Sequence, residues 1–387
     1  MLQLPAQALS QQLGEKLWAL YSKQLDIEFP TAKTNHCWEI TSNGWVGFIP
    51  LARDLAVSLR PKVSIENLFG MLEVAYRLKQ FEFLTGLVNC DTLEGYYDQL
   101  ASVLAKRVLD RARKGYYRTY LEEREQLPFV CGRVDVVRMV RMPWAVRIRC
   151  EYEEHTGDVD ENQILAWTLW GISKSGVCSR DTLRTVHHAY RSLAGVASTT
   201  PHPAAACVGR FYSRLNEDYQ PLHALCRFFL DHQSIPKTTD GDHQVLPFLV
   251  EMPSLFELFV AEWLRANLPG EWHLNTQEHV LLHSESGLEF RIDLVLSDAV
   301  TRETLCVLDT KYKTPEQIHT SDVSQVVAYA DAKHVRKAAL IFPAQPPIDR
   351  LDVGDVSVSC VSFDLSGDLD KAGRVLIGRI RSLVSKY

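Results

Sequence analysis

Two apolar runs near the C-terminal end of the chain each bring an aspartate to a strand end. The first reads Arg291-Ile292-Asp293-Leu294-Val295-Leu296; the second reads Leu305-Cys306-Val307-Leu308-Asp309 and continues Thr310-Lys311-Tyr312-Lys313. Side chains alternate along a strand, so Asp309 and Lys311 are expected on one face and Thr310 on the other. Two carboxylates from neighbouring strands can hold a hard, oxygen-seeking cation, and an ammonium beside them can orient or deprotonate a water for in-line attack on phosphorus. That is the chemistry of a magnesium-dependent phosphodiesterase. The competing reading of Asp-x-Lys after an apolar strand is a solvated strand end with a weak surface ion pair. Lys313 shares the Lys311 face if the strand continues, and leaves it if the strand has ended.

These groups need elements to position them. Upstream, Leu255-Phe256-Glu257-Leu258-Phe259-Val260-Ala261-Glu262-Trp263-Leu264 has apolar residues at helical spacing, and Glu257 sits among the core-facing positions. An unpaired charge there is costly, so either a metal or a basic partner such as Arg265 is expected to meet it. Downstream, Ser321 to Ala330 reads as a second helix with Gln325 and Tyr329 one turn apart on one face. They read either as supports of the site or as ordinary interior polar residues.

The order is therefore helix with Glu257, strand, strand with Asp293, strand with Asp309 and Lys311, helix with Gln325 and Tyr329, strand Ala338 to Phe342. It resembles the restriction-endonuclease-like PD-(D/E)XK nuclease core, in the variant with a Gln-x-x-x-Tyr helix found in RecB-type nucleases. Ile292, not proline, precedes Asp293 here. The likeness extends upstream: Arg60-Pro61-Lys62 followed by Ile65 to Tyr76, Tyr117 to Tyr120 with Leu127 to Asp135 (including Gly132-Arg133-Val134-Asp135), and Tyr152 to Thr156 with Asn162. In this order the blocks resemble the McrC family from about Trp45 to Pro343.

That resemblance implies the nuclease subunit of a modification-dependent restriction system: an endodeoxyribonuclease cutting double-stranded, methylated DNA. It also implies a separate AAA+ GTPase of the McrB type that recognises the DNA and whose GTP hydrolysis the chain stimulates. In such a site Glu257, Asp293, Asp309 and Lys311 would be catalytic, with Gln325 and Tyr329 supporting. Asp293, Asp309 and the Thr310 carbonyl would hold one or two Mg²⁺ ions, with Glu257 contributing directly or through water. No Gly-x-x-x-x-Gly-Lys-Ser/Thr loop occurs in the sequence, so no nucleotide is expected on this chain itself. The alternative is a catalytically silent adaptor that binds and activates the GTPase; retention of Glu257, Asp293, Asp309 and Lys311 together speaks against it, since converging like charges destabilise a metal-free fold.

Length and composition set limits. With 387 residues, 46% hydrophobic and 23% charged, the chain can form two or three domains with proper cores. No apolar stretch reaches membrane-spanning length and the N-terminus lacks a signal-peptide pattern, so no membrane partner and a cytoplasmic location are expected. Nine cysteines without Cys-x-x-Cys pairs suit reduced thiols. Cys207, His223 and Cys226 lack the paired spacing of structural zinc. The net charge of −6 argues against a tight, stand-alone DNA binder and for a local basic face or a partner that delivers the DNA.

The expected fold class is α/β, with an α+β N-terminal part and a restriction-endonuclease-like C-terminal domain whose mixed central sheet is flanked by helices. Three regions are expected. Residues 1–110 form a small β element followed by helices, with strands at Trp45 and Leu55 around a turn at Ala52 to Asp54 and a helix from Glu66 to Phe83; this region is expected to dock the partner. Residues 111–245 are mixed and mainly helical, with short strands between Arg133 and Cys150, a helix from Asn162, and a polar linker at Pro236 to His243. Residues 246–387 form the nuclease domain and close with a helix from Asp370 to Lys386. Arg111, Arg113, Lys114 and Arg118, interleaved with Tyr116, Tyr117 and Tyr120, are candidates for DNA contact. Arg133, Arg138, Arg141, Arg147 and Arg149 form a second basic cluster on expected strands. Both also read as solvated faces balanced by Glu122, Glu123 and Glu125.

Overall fold

A computed structural model describes residues 2–52, 55–61, 63–78, 92–142, 144–232, 247–283, 288–313 and 318–385. Contacts group the chain into two units, residues 1–96 with 248–387, and residues 97–247. This differs from three successive regions: the first ninety-odd residues share a unit with the C-terminal part. The expected linker at 236–243, along with Lys62, Arg53, Asp54 and Phe83, lies outside the described residues.

The chain opens with β1 (Leu2–Pro5), α1 (Gln11–Tyr21), β2 (Leu25–Glu28) and β3 (Cys37–Ser42), forming a small sheet in the order β1-β3-β2. Ser10 caps α1 by accepting from the Leu13 N–H, and Leu17 and Tyr21 face a core with Trp38 and Ile40. Then come β4 (Trp45–Ala52), β5 (Leu55–Leu59), α2 (Ile65–Ala75) and α3 (Leu93–Lys114). Among residues 97–247, β6 (Thr119–Leu127), β7 (Arg133–Val134) and β8 (Ile148–Thr156) form a sheet in the order β6-β8-β7, joined by α4 (Val136–Arg141) and followed by α5 (Asp160–Lys174), α6 (Arg180–Leu193) and α7 (Tyr219–His232). Arg138 and Arg141 therefore lie on a helix, contrary to the expected strands. Asp135 accepts from the Arg138 N–H at 3.0 Å and starts that turn.

The remaining elements are β9 (Phe248–Glu251), α8 (Met252–Asn267), β10 (Trp272–His283), β11 (Leu288–Asp298), β12 (Thr304–Thr310), α9 (Thr320–Ala332), β13 (Lys337–Phe342), β14 (Arg350–Val353), β15 (Val356–Ser362) and α10 (Leu369–Ser385). β9 pairs with β4, which also pairs with β5. Gly47 permits this pairing: its φ is +132°, and a Cβ there would strike the Phe248 carbonyl.

The central sheet runs β10-β11-β12-β13-β15-β14. β12, β13 and β15 are parallel and the outer pairs antiparallel, so the sheet is mixed. A parallel pair needs a crossover, and α9 supplies it between β12 and β13. Cys306, Val307, Leu308 and Asp309 are all buried, as expected of a strand covered on both faces. Val295, Val307, Leu340 and Phe342 pack with Val326, Tyr329 and Ala330 of α9. α8 and α10 pack on each other and on the sheet. This is the expected α/β architecture. No described helix is long and apolar enough to cross a membrane.

Candidate active site

The site lies where β11 and β12 run out of pairing. Their antiparallel register has Val295 opposite Val307 and ends at Leu294 opposite Leu308, so Asp293 and Asp309 are the next residues of the two strands, Asp309 on the Val307 face that α9 covers. Asp309 is fully buried and Asp293 partly so. The Asp293 Oδ2 atom accepts from the Thr310 N–H at 3.1 Å and from the Thr310 hydroxyl at 3.2 Å, so Thr310 is not turned away from the site as strict alternation implied. It is the last residue of β12, past the end of the β11 pairing but still paired with Ile341 of β13.

Lys311 completes the cluster. Its Nζ is 2.8 Å from Asp309 Oδ2 and donates to Gln325 Oε1 at 3.0 Å, while Gln325 Nε2 donates to the Tyr329 hydroxyl at 2.6 Å. The one-turn spacing of Gln325 and Tyr329 on α9 thus becomes a relay that fixes the ammonium. The chain turns immediately afterwards, with the Lys313 N–H bonded to the Lys311 carbonyl at 2.9 Å. Lys313 has left the strand, and its Nζ contacts both oxygens of Asp322 at 3.0 Å.

Glu257 reaches the same neighbourhood from α8. Gln277 Nε2 donates to its Oε1 at 3.1 Å, and Arg265 does not meet it, being paired with Glu262, which also takes Arg77 at 2.5 Å. Gln277 went unnoticed in the sequence. In the β10–β11 register it falls opposite Asp293, yet it is skipped between the Thr276 and Glu278 pairs and holds φ at +52°. A left-handed, non-glycine residue inside a strand costs energy, and here it aims an amide at a carboxylate of the site.

The electrostatics show what the cluster lacks. Burial, then the nearby Asp293 charge, push the Asp309 carboxyl up to about 7, with Lys311 pulling the other way. Burial and Asp293 also raise Glu257, against Gln277, Arg291 and Lys311. Burial works to lower Lys311, but Asp309 and then Asp293 outweigh it and hold the ammonium charged. Apart from that ammonium, neither buried oxygen of Asp309 has a hydrogen-bond partner. Among the described residues no three His, Cys, Asp or Glu side chains stand together as a ready metal cage. What the cluster brings together is the two carboxylates of Asp293 and Asp309, with Glu257 close enough to feel the Asp293 charge. Orphaned, desolvated carboxylate oxygens fit a small hard cation that keeps several waters, and magnesium is such a cation.

The other candidates lie apart from this cluster in sequence, and several are already engaged. Arg111 bonds Asp218 at 3.1 and 3.4 Å and lies over the Tyr219 ring at 5.1 Å, so it holds α7 in place. Arg113 pairs with Asp110 at 3.1 Å at the surface. Lys114 and Arg118 are exposed. Both ring nitrogens of His223 are taken, by the Tyr212 hydroxyl at 2.8 Å and the Glu161 carbonyl at 3.1 Å, and burial lowers its pKa to about 4, so this imidazole has no free nitrogen for zinc. Two of the sequence blocks are structural. Gly132 sits at φ +62° where a Cβ would strike the Glu151 carbonyl, and buried Asn162 ties the Tyr117 and Gly157 carbonyls to the Tyr219 hydroxyl.

A family model described as McrBC 5-methylcytosine restriction system component matches residues 40–343. Among solved structures, the chain is similar to one from a refined half-complex of a tetradecameric assembly of Thermococcus gammatolerans McrB AAA+ hexamers with bound McrC. The TM-score is 0.55 at 17% identity, with 99% of this chain and 98% of that chain covered. A chain from the cryo-EM structure of the Thermococcus gammatolerans McrBC complex gives 0.40 at 19% identity over 68% of this chain and 81% of that one. At such identity the first likeness is one of fold. No curated protein matches the chain.

Proposed function

We propose, for a chain that belongs to the McrBC 5-methylcytosine restriction system component family, that it is the DNA-cutting subunit of its restriction system. It hydrolyses phosphodiester bonds of modified double-stranded DNA and works with an AAA+ GTPase of the McrB type, whose GTP hydrolysis it stimulates. The observation that carries this reading is Asp309: a buried carboxylate with no partner but Lys311, raised to about 7 beside a second carboxylate. A structural carboxylate has no reason to bear that cost. The partner assignment is supported by the solved assembly of McrB AAA+ hexamers with bound McrC that shares this fold.

Asp293, Asp309 and the Thr310 carbonyl would hold Mg²⁺, with Glu257 contributing directly or through water. Bound there, the ion would lower the pKa of an attacking water and take up charge on the phosphoryl oxygens. Lys311, kept charged by Asp309 and steadied by Gln325, donates to that water or to the phosphate. Thr310 fixes the orientation of Asp293, and Gln277 that of Glu257. The experiment is DNA cleavage with magnesium and the partner GTPase, comparing the wild type with Asp309→Ala. Cleavage should disappear while stimulation of GTP hydrolysis survives; a variant that still cuts refutes the site.

A further inference from the structure

The Arg60-Pro61-Lys62 block is not explained by the catalytic cluster. Arg60 lines a cavity of about 1070 Å³ together with Trp45, Tyr312, Lys313, Gln345 and Asp364. Tyr312 and Lys313 directly follow Lys311, so this cavity adjoins the catalytic cluster. Its volume lies just above the range of ~300–1,000 Å³ for small-molecule pockets and suits a short stretch of one nucleic-acid strand.

The charges in it are unevenly committed. Lys313 is held by both oxygens of Asp322, and Asp364 accepts from the Ser366 N–H at 2.8 Å and its hydroxyl at 2.7 Å. Arg60 is exposed and, among the described residues, has no hydrogen-bond or ion-pair partner. That sets it apart from Arg77, Arg111, Arg210 and Arg265, each tied to a carboxylate. An uncommitted guanidinium is a phosphate ligand in waiting. Trp45, backed by the core of the first sheet, and Tyr312, tilted against Phe256 at 5.8 Å, are partly buried and line the same space, as aromatic residues do in single-strand sites. In a chain of net charge −6, DNA must be gripped by local features such as this.

We propose that this cavity holds a locally unpaired stretch of the DNA strand next to the scissile phosphate, with Arg60 on a neighbouring backbone phosphate and Trp45 and Tyr312 against the bases. The proposal rests on the nuclease reading above. It makes Arg60 a substrate-positioning residue rather than part of the surface that meets the GTPase.

The test uses the full-length Asp309→Asn chain, with the partner GTPase present, on a duplex oligonucleotide carrying 5-iododeoxyuridine, and maps the photo-crosslinks. Crosslinks should fall on Trp45 or Tyr312, and Arg60→Glu should cut their yield about tenfold, while Arg60→Lys keeps most of it. In the otherwise wild-type chain, Arg60→Glu should raise the KM for DNA about tenfold with kcat and GTPase stimulation little changed. Crosslinks that map elsewhere, or a yield indifferent to Arg60→Glu, overturn the cavity assignment. So does Arg60→Glu abolishing GTPase stimulation while crosslinking persists, which would assign Arg60 to the protein partner. A wild-type chain that crosslinks through the cavity but cuts no DNA keeps the cavity and removes the nuclease reading instead.

Discussion

The β11–β12 edge and the small β6-β8-β7 sheet with α4 depart from ordinary burial in opposite directions. At the first, a carboxylate is enclosed with both oxygens short of partners. At the second, large apolar side chains stand in solvent: Trp144 is 73% exposed, Val140 75% and Val146 87%. Each is a cost that the isolated chain bears. Enclosing a carboxylate costs several kcal/mol, and each large exposed side chain forgoes roughly 2 kcal/mol of burial. The two costs point to different complements: the carboxylate asks for a cation, the apolar surface for another surface.

The comparison can be broken first at the carboxylate. Asp309→Ala is expected to lower magnesium-dependent DNA cleavage by ~10³-fold or more, measured as the initial rate with the partner GTPase present. Lys311→Met should cost about 10²-fold and, by leaving Asp309 without its one cationic neighbour, demand more magnesium for half-maximal rate.

A third test needs no DNA. The folded carboxyl of Asp309 titrates at about 7, above the ordinary value of 3.8, so the folded chain binds this proton more tightly than the unfolded one. Stability from this group therefore falls as pH rises from about 4 to about 7. Between pH 5.5 and pH 8.5 the loss is about 2 kcal/mol, visible as a lower melting temperature of the magnesium-free chain. Asp309→Asn should remove that part of the pH dependence, and a wild type and variant with parallel pH profiles would contradict the assignment. Magnesium binding should tighten over the same range, since the proton must leave first.

Smaller effects sharpen the contrast. Gln325→Ala should slow cleavage about tenfold while leaving DNA binding unchanged, because the amide ties Lys311 to the Tyr329 hydroxyl. Trp144→Ser should alter the unfolding free energy of the isolated chain by no more than about 0.5 kcal/mol. If it destabilises the chain strongly, Trp144 is packed in solution and the apolar half of the comparison fails.

The grouping of Asp309 with Lys311 and of Gln325 with Tyr329 was legible because period two and period 3.6 act locally. Asp309 and Lys311 share a face two residues apart, and Gln325 and Tyr329 share one a turn apart, whatever the rest of the chain does. Gln277 was not legible, since its role depends on a left-handed backbone angle that no residue-type rule assigns to glutamine. Arg138 and Arg141 were misplaced on a strand because Val136, Val137 and Val140 favour one, whereas Asp135 caps a helical turn. The ion pair of Arg111 was not legible because Asp218, its partner, is far along the chain.

The pairing of β4 with β9 carries a consequence for how the molecule is made. During synthesis the ribosome releases Trp45–Ala52 about two hundred residues before Phe248–Glu251, an interval of roughly 10–40 s at ordinary elongation rates. Throughout it, one side of an apolar ribbon awaits its neighbour. A gene fragment beginning at 248 would strand the other half, so residues 248–387 should be expressed only together with the first ninety-odd residues.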